Sequence, residues 1–180
     1  MNLQKTSIEG LVIIHPDVYP DGRGYFFESY QKEKFSKLGI NADFVQDNES
    51  MSAKGVLRGL HFQLPPYTQG KLVRVVRGAV KDVAVDLRKD SKTYGSWEAV
   101  VLSAENKLML WVPEGFAHGF ITLEDNTIFQ YKCTNYYNKE SESGIIWNDP
   151  DLAIDWGFDE PLVSEKDLKG LAFKEIKSPF

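Results

Sequence analysis

A single cysteine, Cys133, is the only thiol in the 180 residues, so no intrachain disulfide can form. An unpaired thiol suits a reducing compartment, and the cytoplasm is the expected location. Long apolar runs are missing too. Nowhere do about 18 such residues follow one another, so no spanning helix is expected. The first ten residues carry one lysine and no apolar core of the kind a secretory signal needs. Positive charge is in deficit: 21 Lys and Arg stand against 26 Asp and Glu, a net charge of −5 that offers no footprint for nucleic acid. A small anion is still bindable, because a few converging cations can hold one whatever the global charge. P-loop, GxGxxG, GxSxG and CxxC patterns are all absent, so phosphate contacts would have to come from side chains.

Aromatics are abundant, with 11 Phe, 8 Tyr and 4 Trp, a composition that suits strands and could line a pocket for a flat ring. The commonest pattern is a short alternating run closed by a turn signal. Gly10 to Ile14 precedes Pro16 and Pro20-Asp21-Gly22, and Tyr25 to Tyr30 reads as an aromatic strand. Leu72 to Leu87 reads as two strands hinged at Gly78, the second placing Val83, Val85 and Leu87 on one face and Asp82 and Asp86 on the other. Glu98 to Leu102 and Leu108 to Val112 follow, then Gly119 to Leu123 and Thr127 to Cys133, joined around Asp125-Asn126. Helix is scarce: Lys32 to Leu38 and Ser164 to Lys169 are the two candidates, each ended by glycine. Without repeats or linkers, residues 1–180 read as one all-β domain, a barrel or a double-sheet jelly roll with a few short helices.

Three histidines are present. His15, before Pro16, reads as structural. His61 lies in Arg58-Gly59-Leu60-His61-Phe62-Gln63, and His118 in Pro113-Glu114-Gly115-Phe116-Ala117-His118-Gly119. A lone histidine in a β-protein is more often packed than catalytic. Arg58 and Lys71 nearby shift that balance, since a base beside cations suits acid–base chemistry on an anionic substrate. Alternation in Thr127 to Cys133 groups Phe129, Tyr131 and Cys133 on the face better suited to a barrel interior. There Tyr131 is either a proton donor or a core tyrosine with a satisfied hydroxyl. Arg23, Arg58 and Lys71 form the candidate anion clamp, while Arg74, Arg77 and Arg88 stay unassigned. Asp167 in Ser164-Glu165-Lys166-Asp167 fits a helix capping box. Pro-x-Gly-x-x-His also occurs in metal-binding barrels, but the His-x-His pair those add is missing at His61-Phe62-Gln63, and no metal is expected.

Taken together, Arg58 to Gln63, Gln69-Gly70-Lys71-Leu72-Val73, Asp82 to Arg88, Pro113 to Phe120 and Trp147-Asn148-Asp149-Pro150 resemble the signature of the dTDP-4-dehydrorhamnose 3,5-epimerases. Asp21-Gly22-Arg23-Gly24 and Phe44-Val45-Gln46-Asp47-Asn48 fit as well, and the likeness runs from about residue 5 to residue 170. The resemblance implies a cupin-type jelly-roll homodimer with no metal or organic cofactor, acting on a dTDP-sugar in dTDP-L-rhamnose biosynthesis. It implies His61 as general base oriented by Asp167, and Tyr131 as the proton donor on the opposite face of the sugar. Lys71 and His118 would lie near the 4-keto oxygen. Arg23, Glu28, Gln46, Asn48, Arg58, Glu142 and Lys166 match substrate contacts, and Phe26 and Tyr137 would flank the thymine. Arg23, Phe26 and Glu28 would reach into the partner subunit's site. The competing readings are an epimerase of C3 or C5 alone, a metal-dependent cupin enzyme and a non-catalytic carbohydrate-binding jelly roll.

Overall fold

The computed structural model describes residues 1–180. The chain opens with β1 (Asn2–Lys5), β2 (Val12–His15) and a small hairpin of β3 (Tyr19–Asp21) and β4 (Gly24–Phe26), followed by α1 (Lys32–Lys37). Then come β5 (Gln46–Ser52), β6 (Val56–Gln63), β7 (Lys71–Arg77), β8 (Ala79–Asp86) and β9 (Trp97–Ser103). The last strands are β10 (Met109–Val112), β11 (Phe116–Thr122), β12 (Thr127–Cys133), β13 (Glu142–Gly144) and β14 (Leu162–Val163), with two 3-10 turns at Asp167–Lys169 and Phe173–Glu175. Two sheets result. One runs β1-β2-β10-β7-β12-β5, the other β13-β6-β11-β8-β9 with β14 added parallel to β6. This is a cupin-like jelly roll, in which sheet-on-sheet packing buries the apolar face of each layer.

Three apolar clusters show what each face does. Between the sheets lie Ile13, Val73, Val75, Val80, Ala84, Leu110, Phe120 and Phe129, with Phe120 and Phe129 stacked at 4.1 Å. Outside the second sheet, Leu57, Leu60, Phe62, Val83, Val85 and Leu87 are covered by Leu152, Trp156 and other residues of the C-terminal segment. Outside the first sheet, Val12, Ile14, Leu72 and Met109 meet Phe35 of α1. Strand β8 is therefore covered on both sides. Its apolar face, Val83 to Leu87, turns outward to the C-terminal layer, while the face bearing Asp82 turns into the barrel.

Several sequence expectations change in detail. The aromatic strand stops at Phe26 instead of Tyr30, because the hairpin β3–β4 pairs with neither large sheet. The helix expected over Ser164 to Lys169 contracts to one 3-10 turn from Asp167, whose side chain is drawn elsewhere. The strand expected from Gly119 begins earlier, at Phe116, since the turn at Pro113–Gly115 leads directly into pairing with β8. Strands β8 and β12 fall where alternation places them, while β7 carries an extra residue at Val76, where its register with β12 shifts.

Candidate active site

The site is built where β6 crosses β11. His61 and His118 are direct cross-strand partners, but two residues later on β11 Phe120 faces Arg58, so Gly59 and Leu60 of β6 together oppose Gly119. This is a β-bulge, an extra residue that reverses the inward–outward order along one strand. Strict alternation would send Arg58 and His61 to opposite faces. With the bulge, both line one cavity while Leu57, Leu60 and Phe62 all point into the outer layer. Gly59 makes the crossing possible: its φ is +126°, and a Cβ there would sit 2.5 Å from the Gly119 Cα.

The cavity, of about 410 Å³, lies between the sheets and is lined by Arg58, His61, Lys71, His118, Tyr131, Glu142, Lys166 and Asp167. A lobe of about 260 Å³ continues past His61, Lys71 and Tyr131 to Gln46, Asn48 and Tyr137. His61 and His118 come from one sheet, on β6 and β11. Lys71 and Tyr131 come from the other, on β7 and β12. A flat molecule between the layers thus meets imidazoles on one side and a phenol and an ammonium on the other.

Asp167 is buried, and its Oδ1 lies 2.5 Å from His61 Nε2. The capping reading is half right: the Asp167 amide donates to Ser164 Oγ at 3.2 Å, but the carboxylate goes to the imidazole. Burial pushes the Asp167 carboxyl up, yet hydrogen bonding and charge from His61, with further bonds from Ser164 and the Gly59 backbone, hold it below its ordinary value. An ionised Asp167 keeps a proton on Nε2 and leaves Nδ1 of His61 free to accept one.

Burial moves the other two groups in ways that suit them. It lowers the Lys71 ammonium, since desolvation disfavours the charged form, and an incoming negative oxygen would offset that cost. It raises the Tyr131 phenol, only partly offset by Arg58, which keeps the hydroxyl protonated at neutral pH. His118 is buried, with Nε2 at 2.9 and 3.0 Å from the two oxygens of Asp82. Asp82 has two signals in the sequence, its place on the polar face of β8 and in the signature run Asp82 to Arg88, and neither marks it as a site residue.

Around the rim, Glu142 accepts from Lys166 at 2.5 Å and from the Tyr137 hydroxyl at 2.9 Å. Burial pushes the Glu142 carboxyl up, but these two bonds more than compensate and keep it ionised. The Tyr137 amide donates to Gln46, Gln46 to Asn48, and Arg58 Nε to Ser52 Oγ. Of the expected anion clamp, Arg58 and Lys71 come together and Arg23 does not join them within this chain. Arg23 sits on the β3–β4 hairpin with a side chain 91% exposed, paired to Asp21. Phe26 is 66% exposed, and Glu28 pairs with Lys34, also away from this cavity. His15 bonds to Gln4, as a structural residue would. No three His, Cys, Asp or Glu side chains converge in a way that could hold a metal ion.

Comparison with known proteins places this geometry. A family model described as dTDP-4-dehydrorhamnose 3,5-epimerase matches residues 5–175. A protein of that name from Methanothermobacter thermautotrophicus is 57% identical over 174 residues, 95% of this chain and 94% of its own. The crystal structure of another, from Elizabethkingia anophelis, superposes with a TM-score of 0.94 at 52% identity, over 99% of this chain and 98% of that one. A dTDP-6-deoxy-D-glucose-3,5-epimerase from Legionella pneumophila, solved in complex with dTDP-4-keto-L-rhamnose, gives 0.93 at 51% identity over 97% and 94%.

Proposed function

The chain belongs to the dTDP-4-dehydrorhamnose 3,5-epimerase family, and from that premise we propose that it inverts C3 and C5 of dTDP-4-dehydro-6-deoxy-D-glucose to give dTDP-4-dehydro-L-rhamnose. One observation carries the reading: an imidazole held by a buried carboxylate faces a protonated phenol across the barrel, with a lysine beside the phenol. The 4-ketone acidifies the protons on both neighbouring carbons. His61 takes one of them through Nδ1, and the electron pair moves onto O4 as an enolate. Lys71, with His118, stabilises that oxygen; a preorganised donor of this kind lowers the barrier by about 3 kcal/mol. Tyr131 then protonates the same carbon from the other sheet's side, so the centre inverts. Once His61 has released its proton to solvent and Tyr131 has regained one, repeating the cycle at the second carbon completes the product. Neither step changes oxidation state, so the proposed reaction needs no redox cofactor.

Arg58 and Lys166 supply positive charge for the diphosphate, Gln46, Asn48 and Glu142 line the way out, and Tyr137 offers a face to the thymine. Arg23, Phe26 and Glu28 complete a second subunit's site in a homodimer. The exposed Tyr19, Tyr25 and Phe26 on a hairpin attached to neither large sheet support that assignment. A cytoplasmic setting fits the free, buried Cys133.

Turnover in deuterium oxide tests the reaction. Incubation with dTDP-4-dehydro-6-deoxy-D-glucose is expected to place deuterium at both C3 and C5; label at one carbon alone would reduce the enzyme to a mono-epimerase. His61→Ala is expected to abolish exchange at both carbons while dTDP still binds. Exchange at the wild-type rate in that variant would remove His61 as the base. Mixing inactive His61→Ala and Arg23→Ala proteins is expected to recover activity, through hybrid dimers with one intact site.

A further inference from the structure

Asp82 has side-chain relative exposure of zero, and both its oxygens are spent on one atom, Nε2 of His118, at 2.9 and 3.0 Å. No other hydrogen bond reaches this carboxylate; Val80 and Ala84 flank it on its own strand, Phe120 lies directly across on β11, and its charge acts on Lys71 of the opposite sheet. A carboxylate buried that deeply is costly unless it is paired and hydrogen-bonded. The imidazole, for its part, has Nε2 committed to Asp82 and packs near Phe129, while its Nδ1 has no partner within the chain although His118 lines the cavity. The geometry repeats that of His61 and Asp167, and the two histidines are register partners on adjacent strands.

We infer that Asp82 is a positioning residue for the reaction: by holding the proton of His118 on Nε2, it turns Nδ1 toward the substrate's C4 oxygen and supplies the counter-charge when that nitrogen carries a proton. A neutral ring held this way would present a lone pair to the enolate, so His118 donates there only as imidazolium. Its charge is then shared between Asp82 behind it and the oxyanion in front. Lys71 completes the arrangement from the opposite sheet. Asp82 thus acts through His118 and never touches the sugar. This rests on the reading of the cavity as an epimerase site.

The test uses Asp82→Asn, which keeps shape and removes charge, with His118→Gln and the double variant. Asp82→Asn is expected to lower kcat about 10- to 100-fold with KM changed less than about threefold, short of the ~10²–10³-fold that losing an oxyanion donor outright costs. In the His118→Gln background the same substitution is expected to cost nothing further in kcat. A wild-type kcat in Asp82→Asn, or an equal penalty in both backgrounds, would overturn the assignment. Ring ¹⁵N NMR of His118 gives a readout that needs neither turnover nor a stable variant. The wild-type protein is expected to show a protonated Nε2 with and without dTDP, and a proton on Nδ1 alone would overturn the proposal. Should the wild-type enzyme itself fail to turn over, the epimerase reading fails, whereas the NMR result still decides whether Asp82 holds the ring.

Discussion

Single side chains decide the chemistry here, and their environments assign the roles. Tyr131 carries the sharpest consequence. If the phenol delivers the second proton, Tyr131→Phe leaves His61 able to remove a proton and return one to the same face. Deuterium is then expected to wash into unreacted substrate while net inversion falls by about 10²–10⁴-fold, the usual contribution of a positioned acid. Loss of exchange and inversion together would mean that Tyr131 is not the distinct acid. Lys71→Met tests the other pole: a drop in kcat of about 10²–10³-fold is expected, with nucleotide affinity preserved, and an unchanged kcat would take the lysine away from O4. The candidate residues were readable one by one because acid–base chemistry needs these side-chain types. Asp82 was not, since an aspartate on the polar face of a strand reads as a solvated charge until the barrel closes over it.

At the level of the element, the bulge in β6 does most to make the site. Alternation served well for β8 and β12, whose faces follow from a period of two. It fails in β6, where Gly59 and Leu60 share one position opposite Gly119. Nothing in the local pattern reveals that extra residue, because a bulge is defined by the partner strand. Gly59→Ala is therefore expected to be severe. Its Cβ would meet Gly119 Cα at 2.5 Å on a backbone with φ +126°. Overpacking of about 1–3 kcal/mol and backbone strain of similar order add up to a fall in Tm on the order of 10 °C, measurable by differential scanning calorimetry. Gly22→Ala, with nothing within 4 Å of the added carbon, is expected to leave Tm where it was. Equal stability of both variants would mean that the crossing can relax.

For the molecule as a whole, buried ionised carboxylates set the acid limit of stability. Asp86 has no exposed surface. Burial raises its pKa, but hydrogen bonds from Arg88, Ser91 and Thr93 outweigh that and bring it down from 3.8 to about 2. A depressed folded-state value stabilises the native state above the unfolded-state pKa, and that contribution disappears as pH falls through the folded one. For Asp86 the window is therefore pH 3.8 down to about 2, worth roughly 2 kcal/mol. Asp167 is shifted in the same direction and adds to the loss. Denaturant melts of the wild type are expected to show stability declining across that window, with a shallower decline in Asp86→Asn; parallel curves would exclude the contribution.

The sequence by itself determined the chemistry available, the two-residue period of most strands and the family signature, since each of these is written in side-chain type and local spacing. Only the tertiary structure decided which groups meet. It brought Asp167 to His61 across 106 residues, put Arg58 and His61 on one face through a bulge, and turned Asp82 inward to His118. The physical reason is that a strand's period fixes the order of its faces but not which of them looks inward. That choice belongs to the two sheets and the C-terminal layer as they bury their apolar surfaces together.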